Sequence, residues 1–120
     1  MHELSIAQNL VSIAQQAAFD AGAAQVESVH MRLGVFSGLW KDALLFSYDV
    51  ATQGTLLEGS ELIITDVPLV VYCPTCDTEV NLPSIQFFCC PQCSTPTTDI
   101  RQGKEIEIEF LEINDAPKTA

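Results

Sequence analysis

The sequence predicts an α+β fold: two helices packed on a small antiparallel three-stranded sheet, with a four-cysteine zinc-ribbon-like module inserted before the last strand. Three observations carry this. Two stretches of helical period bracket an alternating stretch near the start of the chain. Cys73-Pro74-Thr75-Cys76 and Cys90-Pro91-Gln92-Cys93 repeat one motif. After them, Ile106, Ile108 and Phe110 alternate with Glu105, Glu107 and Glu109, the period of a strand with one apolar face.

Each element follows from its local chemistry. Residues 3 to about 20 read as an amphipathic helix, with Leu4, Ala7, Val11, Ala14 and Ala18 in one stripe and Ile6, Leu10 and Ile13 beside it. Gly22 can take the left-handed conformation that ends such a helix. From Val26 to Phe36 the pattern becomes alternating: Val29, Met31, Leu33 and Val35 on one face, His30, Arg32 and Gly34 on the other. His30 thus falls on the polar face, exposed or partly packed. Ser37-Gly38 breaks the strand. A second helix, about Asp42 to Thr52, is so apolar (Leu44, Leu45, Phe46, Tyr48, Val50) that packing on more than one side is expected. Trp40 and Phe36 suit either the core or an exposed contact patch. Leu62 to Tyr72 is rich in Ile and Val, and Pro68 within it demands an edge position or a break.

In the cysteine module, about Cys73 to Gln102, ligand spacing rather than a hydrophobic period is expected to set the structure. The last strand follows Gly103. Its phase slips at Leu111, which allows a bulge. Alone it is unstable, so it should join the sheet of residues 26–36 and 62–72. The expected division is therefore one α+β domain, 1–72 plus 104–120, interrupted by a module at 73–103, with a frayed tail over Asp115–Ala120.

Five cysteines lie within 21 residues, and 13 residues separate the two CPxC pairs. Four thiolates so spaced suit Zn²⁺, which accepts tetrahedral sulfur ligation, and a closed four-sulfur site is structural. Cys73, Cys76, Cys90 and Cys93 are the expected ligands. Cys89 could replace Cys90 in a CxxxC register; otherwise it is a small buried hydrophobe or a thiol neighbouring the site. Dithiol exchange competes with the zinc reading, but redox CxxC motifs normally occur once, at a helix start.

Hydrophobic residues make up 48% of the chain, enough for a packed core, and the net charge is −11. An acidic surface with five Lys and Arg repels phosphate backbones and anionic lipid, so neither nucleic acid nor membrane is an expected partner. No apolar run has membrane-spanning length and Glu3 replaces a basic leader, so a cytoplasmic location is expected, where thiols favour metal over disulfides. Phosphate-binding loops, nucleophile–base signatures and HExxH are absent.

A histidine near a chain end is ordinarily a solvated residue. Met1-His2-Glu3 permits more. The Met1 amine, the His2 amide nitrogen and the His2 imidazole can close fused chelate rings, and the backbone nitrogen of Glu3 or an oxygen can complete a plane. Such nitrogen-rich ligation suits Ni(II) or Cu(II) and fits Zn²⁺ poorly. The bulk of His2 should hinder removal of Met1.

With these residues together, the chain resembles the HypA/HybF family of nickel-incorporation proteins for [NiFe]-hydrogenase maturation. The resemblance spans nearly the whole length. It rests on Met1-His2-Glu3-Leu4-Ser5, Leu33-Gly34-Val35-Phe36-Ser37, the turn from Gly54-Thr55 through Glu58-Gly59, and the two CxxC pairs. It implies a nickel-binding α+β domain joined to a zinc domain, with Ni(II) as cargo and Zn(II) as a structural ion. It implies a metallochaperone with no turnover of its own, which passes nickel toward the hydrogenase large subunit with the GTPase HypB; some members also serve urease. Nickel ligation is then expected at His2 with the Met1 amine and the backbone nitrogens of His2 and Glu3, and zinc at Cys73, Cys76, Cys90 and Cys93. Cys89 departs from the family pattern. Two other functions fit the motifs: a zinc-ribbon protein-interaction adaptor without metal transfer, in which His2 is dispensable, and a thiol oxidoreductase.

Overall fold

The structure, a computed structural model, describes the backbone of residues 2–115 and the side chains of residues 3–114. Met1, the His2 side chain and the expected tail beyond Asp115 lie outside the described residues. The element order is α1 (His2–Asp20), β1 (Ala23–Gly34), α2 (Lys41–Ala51), β2 (Glu61–Val67), β3 (Val70–Cys73), β4 (Thr78–Asn81), β5 (Ile100–Gln102) and β6 (Ile106–Asp115). Two three-stranded sheets form, in the orders β2-β1-β6 and β4-β3-β5. The predicted α+β class, with two helices, a β1/β2/β6 sheet and an inserted cysteine module, is the architecture found, although that sheet, expected to be antiparallel, is so only between β1 and β6.

The chain divides into two compact units. One comprises Met1–Met31, Leu39–Ile64 and Ile108–Ala120; the other comprises Arg32–Gly38 and Thr65–Glu107.

In the first unit α1 and α2 pack on each other. The α1 stripe buries mostly small residues: Ala7, Ala14 and Ala18 with Leu10 and Val11. Small side chains permit close helix approach, while Leu4 and Ile13, expected on or beside the stripe, are exposed. Gly22, at φ +74°, ends the helix, its amide donating to the Phe19 carbonyl. Val29, Met31 and Leu33 are buried as the alternation predicts, whereas Val35, beyond the strand, is exposed. On α2 the buried residues are Leu44, Ser47 and Tyr48. Phe46 and Val50 are exposed, so the helix packs on one side only, contrary to the expectation from its composition. Trp40 is exposed as well, and its amide donates to the Glu3 carboxylate at 3.0 Å.

The β1/β2/β6 sheet has one parallel pair. The Gly34 amide donates to the Glu105 carbonyl and the Phe36 amide to the Gly103 carbonyl, so β6 runs antiparallel to β1. In contrast, Val26 donates to Leu56 and Val35 to Val67. The partners advance together, so β2 runs alongside β1, as a strand–helix–strand connection through α2 allows. Pro68 ends β2, the local break expected where a ladder donor is missing.

Gly34 is where β1 and the turn before β6 come closest. A Cβ there would meet the Gly103 carbonyl oxygen at 2.1 Å, and Gly103 itself sits at φ +122°. Further along β6 the register changes by one residue. His30 stacks on Phe110 with ring centroids 4.0 Å apart, and Ser28 meets Glu112, whereas the Gly34–Glu105 ladder extended regularly would set Glu109 opposite His30. One extra residue in β6 between Glu107 and Phe110 accounts for this, slightly before the expected bulge at Leu111. His30 is partly packed, its Nε2 2.8 Å from Glu112 Oε1. The glutamate run is thus engaged as well as solvated, since Glu107 also pairs with Arg32 at 2.7 Å.

The second unit holds the β4-β3-β5 sheet. Strand β3 pairs antiparallel with β4 (Val71 opposite Val80, Cys73 opposite Thr78) and with β5 (Val71 opposite Ile100). Neither β4 nor β5 is expected from the sequence. They give the unit a hydrophobic core of Leu69, Val71, Cys73, Val80, Leu82 and Cys90, against which Phe36, Phe88 and Ile100 pack. Apolar burial therefore shapes this unit together with ligand spacing.

Candidate metal centre

Each CPxC pair forms a knuckle. Proline after the first cysteine presets the backbone angle for a tight turn, and the residue after the second cysteine reverses the chain in the left-handed region: Asp77 at φ 53° and Ser94 at φ 62°. These are the two non-glycine residues with positive φ among those described. The duplicated motif thus has a duplicated backbone. In the first knuckle the Cys76 amide points at Cys73 Sγ, 3.4 Å away. The second closes by hydrogen bonds from the Cys90 amide to the Thr95 carbonyl and from the Ser94 amide to the Cys90 carbonyl.

The two knuckles bring the Sγ atoms of Cys73, Cys76, Cys90 and Cys93 within 4.8 Å of one another. Cys73 and Cys93 are 3.4 Å apart, Cys76 and Cys90 3.9 Å. Four sulfurs at ~2.3 Å from one ion in a tetrahedron lie about 3.8 Å apart, so this cluster is close to the spacing that Zn²⁺ requires. Cys73 and Cys90 are buried, Cys76 is half-buried and Cys93 exposed. Cys89 stands outside the cluster with its side chain exposed, pairing through its backbone with Pro96. The CxxC register is therefore the one that converges, and of the two alternatives for Cys89 the small buried hydrophobe is not what is found.

The cluster is electrostatically polarised. Hydrogen bonds from Thr95 draw the Cys93 thiol down to about 6; the Thr95 hydroxyl, 3.1 Å from Cys93 Sγ, also meets the Thr75 hydroxyl at 2.9 Å. Hydrogen bonding to Cys93, followed by burial, pushes Cys76 up to about 12. Neighbouring thiolates repel, so one holds its proton where another gives it up, and a divalent cation removes that conflict.

At the other expected site, α1 begins at His2. The Met1 amine and the His2 imidazole are outside the described residues. The Glu3 carboxylate is held by the Trp40 amide, which precedes α2. Among the described residues, the four cysteines are the one group of three or more ligating side chains that converge. A shallow cleft of about 670 Å³ beside α1, lined by Ser12, Gln15, Gln16, Phe19 and residues 54–56, contains no ionisable side chain.

Residues 1–113 match the family described as "Hydrogenase/urease nickel incorporation, metallochaperone, hypA". The chain belongs to the HypA family. Among curated relatives it is 56% identical over 115 residues to the hydrogenase maturation factor HypA of Roseiflexus sp. (strain RS-1), covering 96% of this chain and 94% of that one. It is 49% identical to that of Chloroflexus aggregans, covering 93% and 98%. A third relative, at 39% identity and covering 93% and 94%, is the guanidine hydrolase-activating protein A of Synechocystis sp.. The fold is shared with the solution structure of the Ni metallochaperone HypA from Helicobacter pylori, at a TM-score of 0.66 and 21% identity, covering 95% of this chain and 98% of that one. As a HypA family member the chain is a nickel metallochaperone of the hydrogenase-maturation type, and the family match extends over both the N-terminus and the cysteine module.

Proposed function

We propose that this protein binds Ni(II) at its N-terminus and delivers it to the large subunit of a [NiFe]-hydrogenase, acting with a HypB-type GTPase. It is a carrier and has no turnover of its own. The observation that carries the reading is the family match from residue 1, joined to the start of α1 at His2. The first amides of a helix have no intrahelical acceptor, so the His2 and Glu3 nitrogens can ligate metal without breaking the helix ladder. Together with the Met1 amine and the His2 imidazole they offer the nitrogen-rich plane that suits Ni(II). Zn(II), held by Cys73, Cys76, Cys90 and Cys93, is structural. The α+β domain (1–72 plus 104–120) carries the nickel and the 73–103 module the zinc.

Hydrogenase as the recipient is supported by the names of the relatives at 56% and 49% identity. A relative at 39% named for activating guanidine hydrolase marks the recipient as the part of the function to test separately.

The test is calorimetry with Ni(II) on three zinc-loaded proteins: the native start, a one-residue extension before Met1, and His2→Ala. The extension moves the amine away while keeping His2. Both changes are expected to weaken binding by on the order of 10², with zinc content and circular dichroism unchanged. Equal affinity in all three would return His2 to an ordinary solvated histidine.

A further inference from the structure

The outward face of α2 has no use in the proposed nickel or zinc chemistry. Trp40, Phe46 and Val50 are 77%, 71% and 47% exposed, while Leu44 and Tyr48 on the same helix are fully buried. With Ala43, also exposed, they recur three to four residues apart, which sets Ala43, Phe46 and Val50 in one stripe following Trp40. Exposed apolar side chains are common singly; a large aromatic pair continued along a helix face is the pattern of helix-in-groove recognition. Asp42 and Asp49, both exposed, border the stripe beside Phe46.

We propose that this face of α2 is a docking surface for a protein partner that presents an apolar groove with Lys or Arg along one rim. The charge pattern selects that occupant. Asp42 and Asp49 at the border call for basic groups opposite them, and a second copy of this chain, with net charge −11 and few basic residues, opposes self-association. The position of the face gives docking a consequence. The Trp40 amide is bonded to the Glu3 carboxylate, one residue from His2, so a partner seated on Trp40 acts beside the chain end that carries the proposed nickel ligands. This step rests on the nickel reading above and adds the surface by which the recipient or the GTPase is recognised.

Trp40 is the only tryptophan, so its fluorescence reports docking directly. The full zinc-loaded chain is titrated with the HypB-type GTPase and, separately, with the hydrogenase large-subunit precursor of the same organism. Wild type is compared with Phe46→Asp, with Val50→Asp, and with Phe19→Asp, an exposed aromatic on α1. The expected result is a blue shift of Trp40 emission with at least one partner. The same partner should lose affinity by at least about tenfold in Phe46→Asp and less in Val50→Asp, with Phe19→Asp binding as wild type. Because Phe46 and Val50 are exposed, circular dichroism and zinc content should not change. Partner binding with unaltered affinity in Phe46→Asp overturns the proposal and leaves the nickel reading standing. A concentration-dependent dimer abolished by Phe46→Asp also overturns it, since the occupant would then be a second copy. If neither partner binds wild type, the docking surface and the partner assignment fall together, while nickel calorimetry still judges the metal site.

Discussion

The two units treat their chemistry in opposite ways. In the cysteine unit, two of the four converging cysteines belong to the core: Cys73 and Cys90 are buried with Leu69, Val71, Val80 and Leu82, while Cys76 is half-buried and Cys93 exposed. In the helical unit the core includes Ala7, Leu10, Val11, Met31, Leu44 and Tyr48, and among the described residues it contains no histidine, cysteine or carboxylate. The expected nickel ligands lie at the end of the chain. A metal whose ligands are core residues cannot leave without loosening the fold, whereas one held at a terminus can come and go. On the function proposed above, that difference is what would distinguish a structural ion from a cargo ion.

The strongest way to break this contrast is to remove a buried ligand. Cys73→Ser should abolish zinc binding and loosen Thr65–Glu107, because zinc contributes roughly 10–16 kcal/mol of apparent folding free energy in small zinc-folded peptides. Amide spectra of that unit should collapse while α1 and α2 stay helical. A dispersed, zinc-free spectrum would show that the apolar core suffices.

Next in size is Gly34→Ala. The added Cβ would meet backbone atoms of Gly103 and Lys104 at 2.1–2.6 Å. Backbone cannot swing aside as a side chain can, so a loss of about 3 kcal/mol is expected in denaturant unfolding. A loss under about 0.5 kcal/mol, the size typical of inert surface substitutions, would mean the approach relaxes freely.

A smaller effect is expected from acid. The Ser28 hydroxyl, then His30, holds the Glu112 carboxyl below its ordinary value of 4.5. A carboxylate depressed in the folded state contributes stability that is fully present above that ordinary value and is lost as pH falls through the folded one. Glu112→Gln should therefore melt below wild type at pH 6, and the difference should shrink as pH drops below about 4.5. A difference constant from pH 6 to 3 would mean the carboxylate is not what the Ser28 and His30 contacts stabilise.

The smallest change is Ser94→Gly. It relieves a left-handed residue and should stabilise the cysteine unit by about 0.5–1 kcal/mol in a zinc-competition or thermal assay. Destabilisation would show that the serine side chain supports the turn.

How much of this was legible follows from how each region stores its information. The cysteine quartet could be read because ligand spacing is written directly in the chain, as could the alternation of β1. The slip in β6 was visible in the consecutive apolar pair Phe110-Leu111; the register change sets Phe110 on the side of His30 and frees Leu111 for the opposite face. Strands β4 and β5 were not legible. They are four and three residues long, too short for a period, and Val80 is the single fully buried residue between them. The one-sided packing of α2 was misread because composition reports how apolar a helix is and not which apolar faces are covered. The proposed nickel ligands rest on chain chemistry alone, since no hydrophobic pattern points to an amine or an amide.

The place of the cysteine module in the chain also orders biosynthesis. Cys93 leaves the ribosome before Ile106, so all four sulfurs can gather, by closing a short loop of the kind that forms in about 100 ns, while the β2-β1-β6 sheet still lacks its last strand. Vectorial folding then favours completion of the interior insertion ahead of the helical unit that surrounds it in sequence. A newborn chain starved of zinc would bring β6 to its partner across an unformed connection, at a higher cost of loop closure. Zinc supply would therefore set how quickly the helical unit matures, even though none of the four converging cysteines belongs to it.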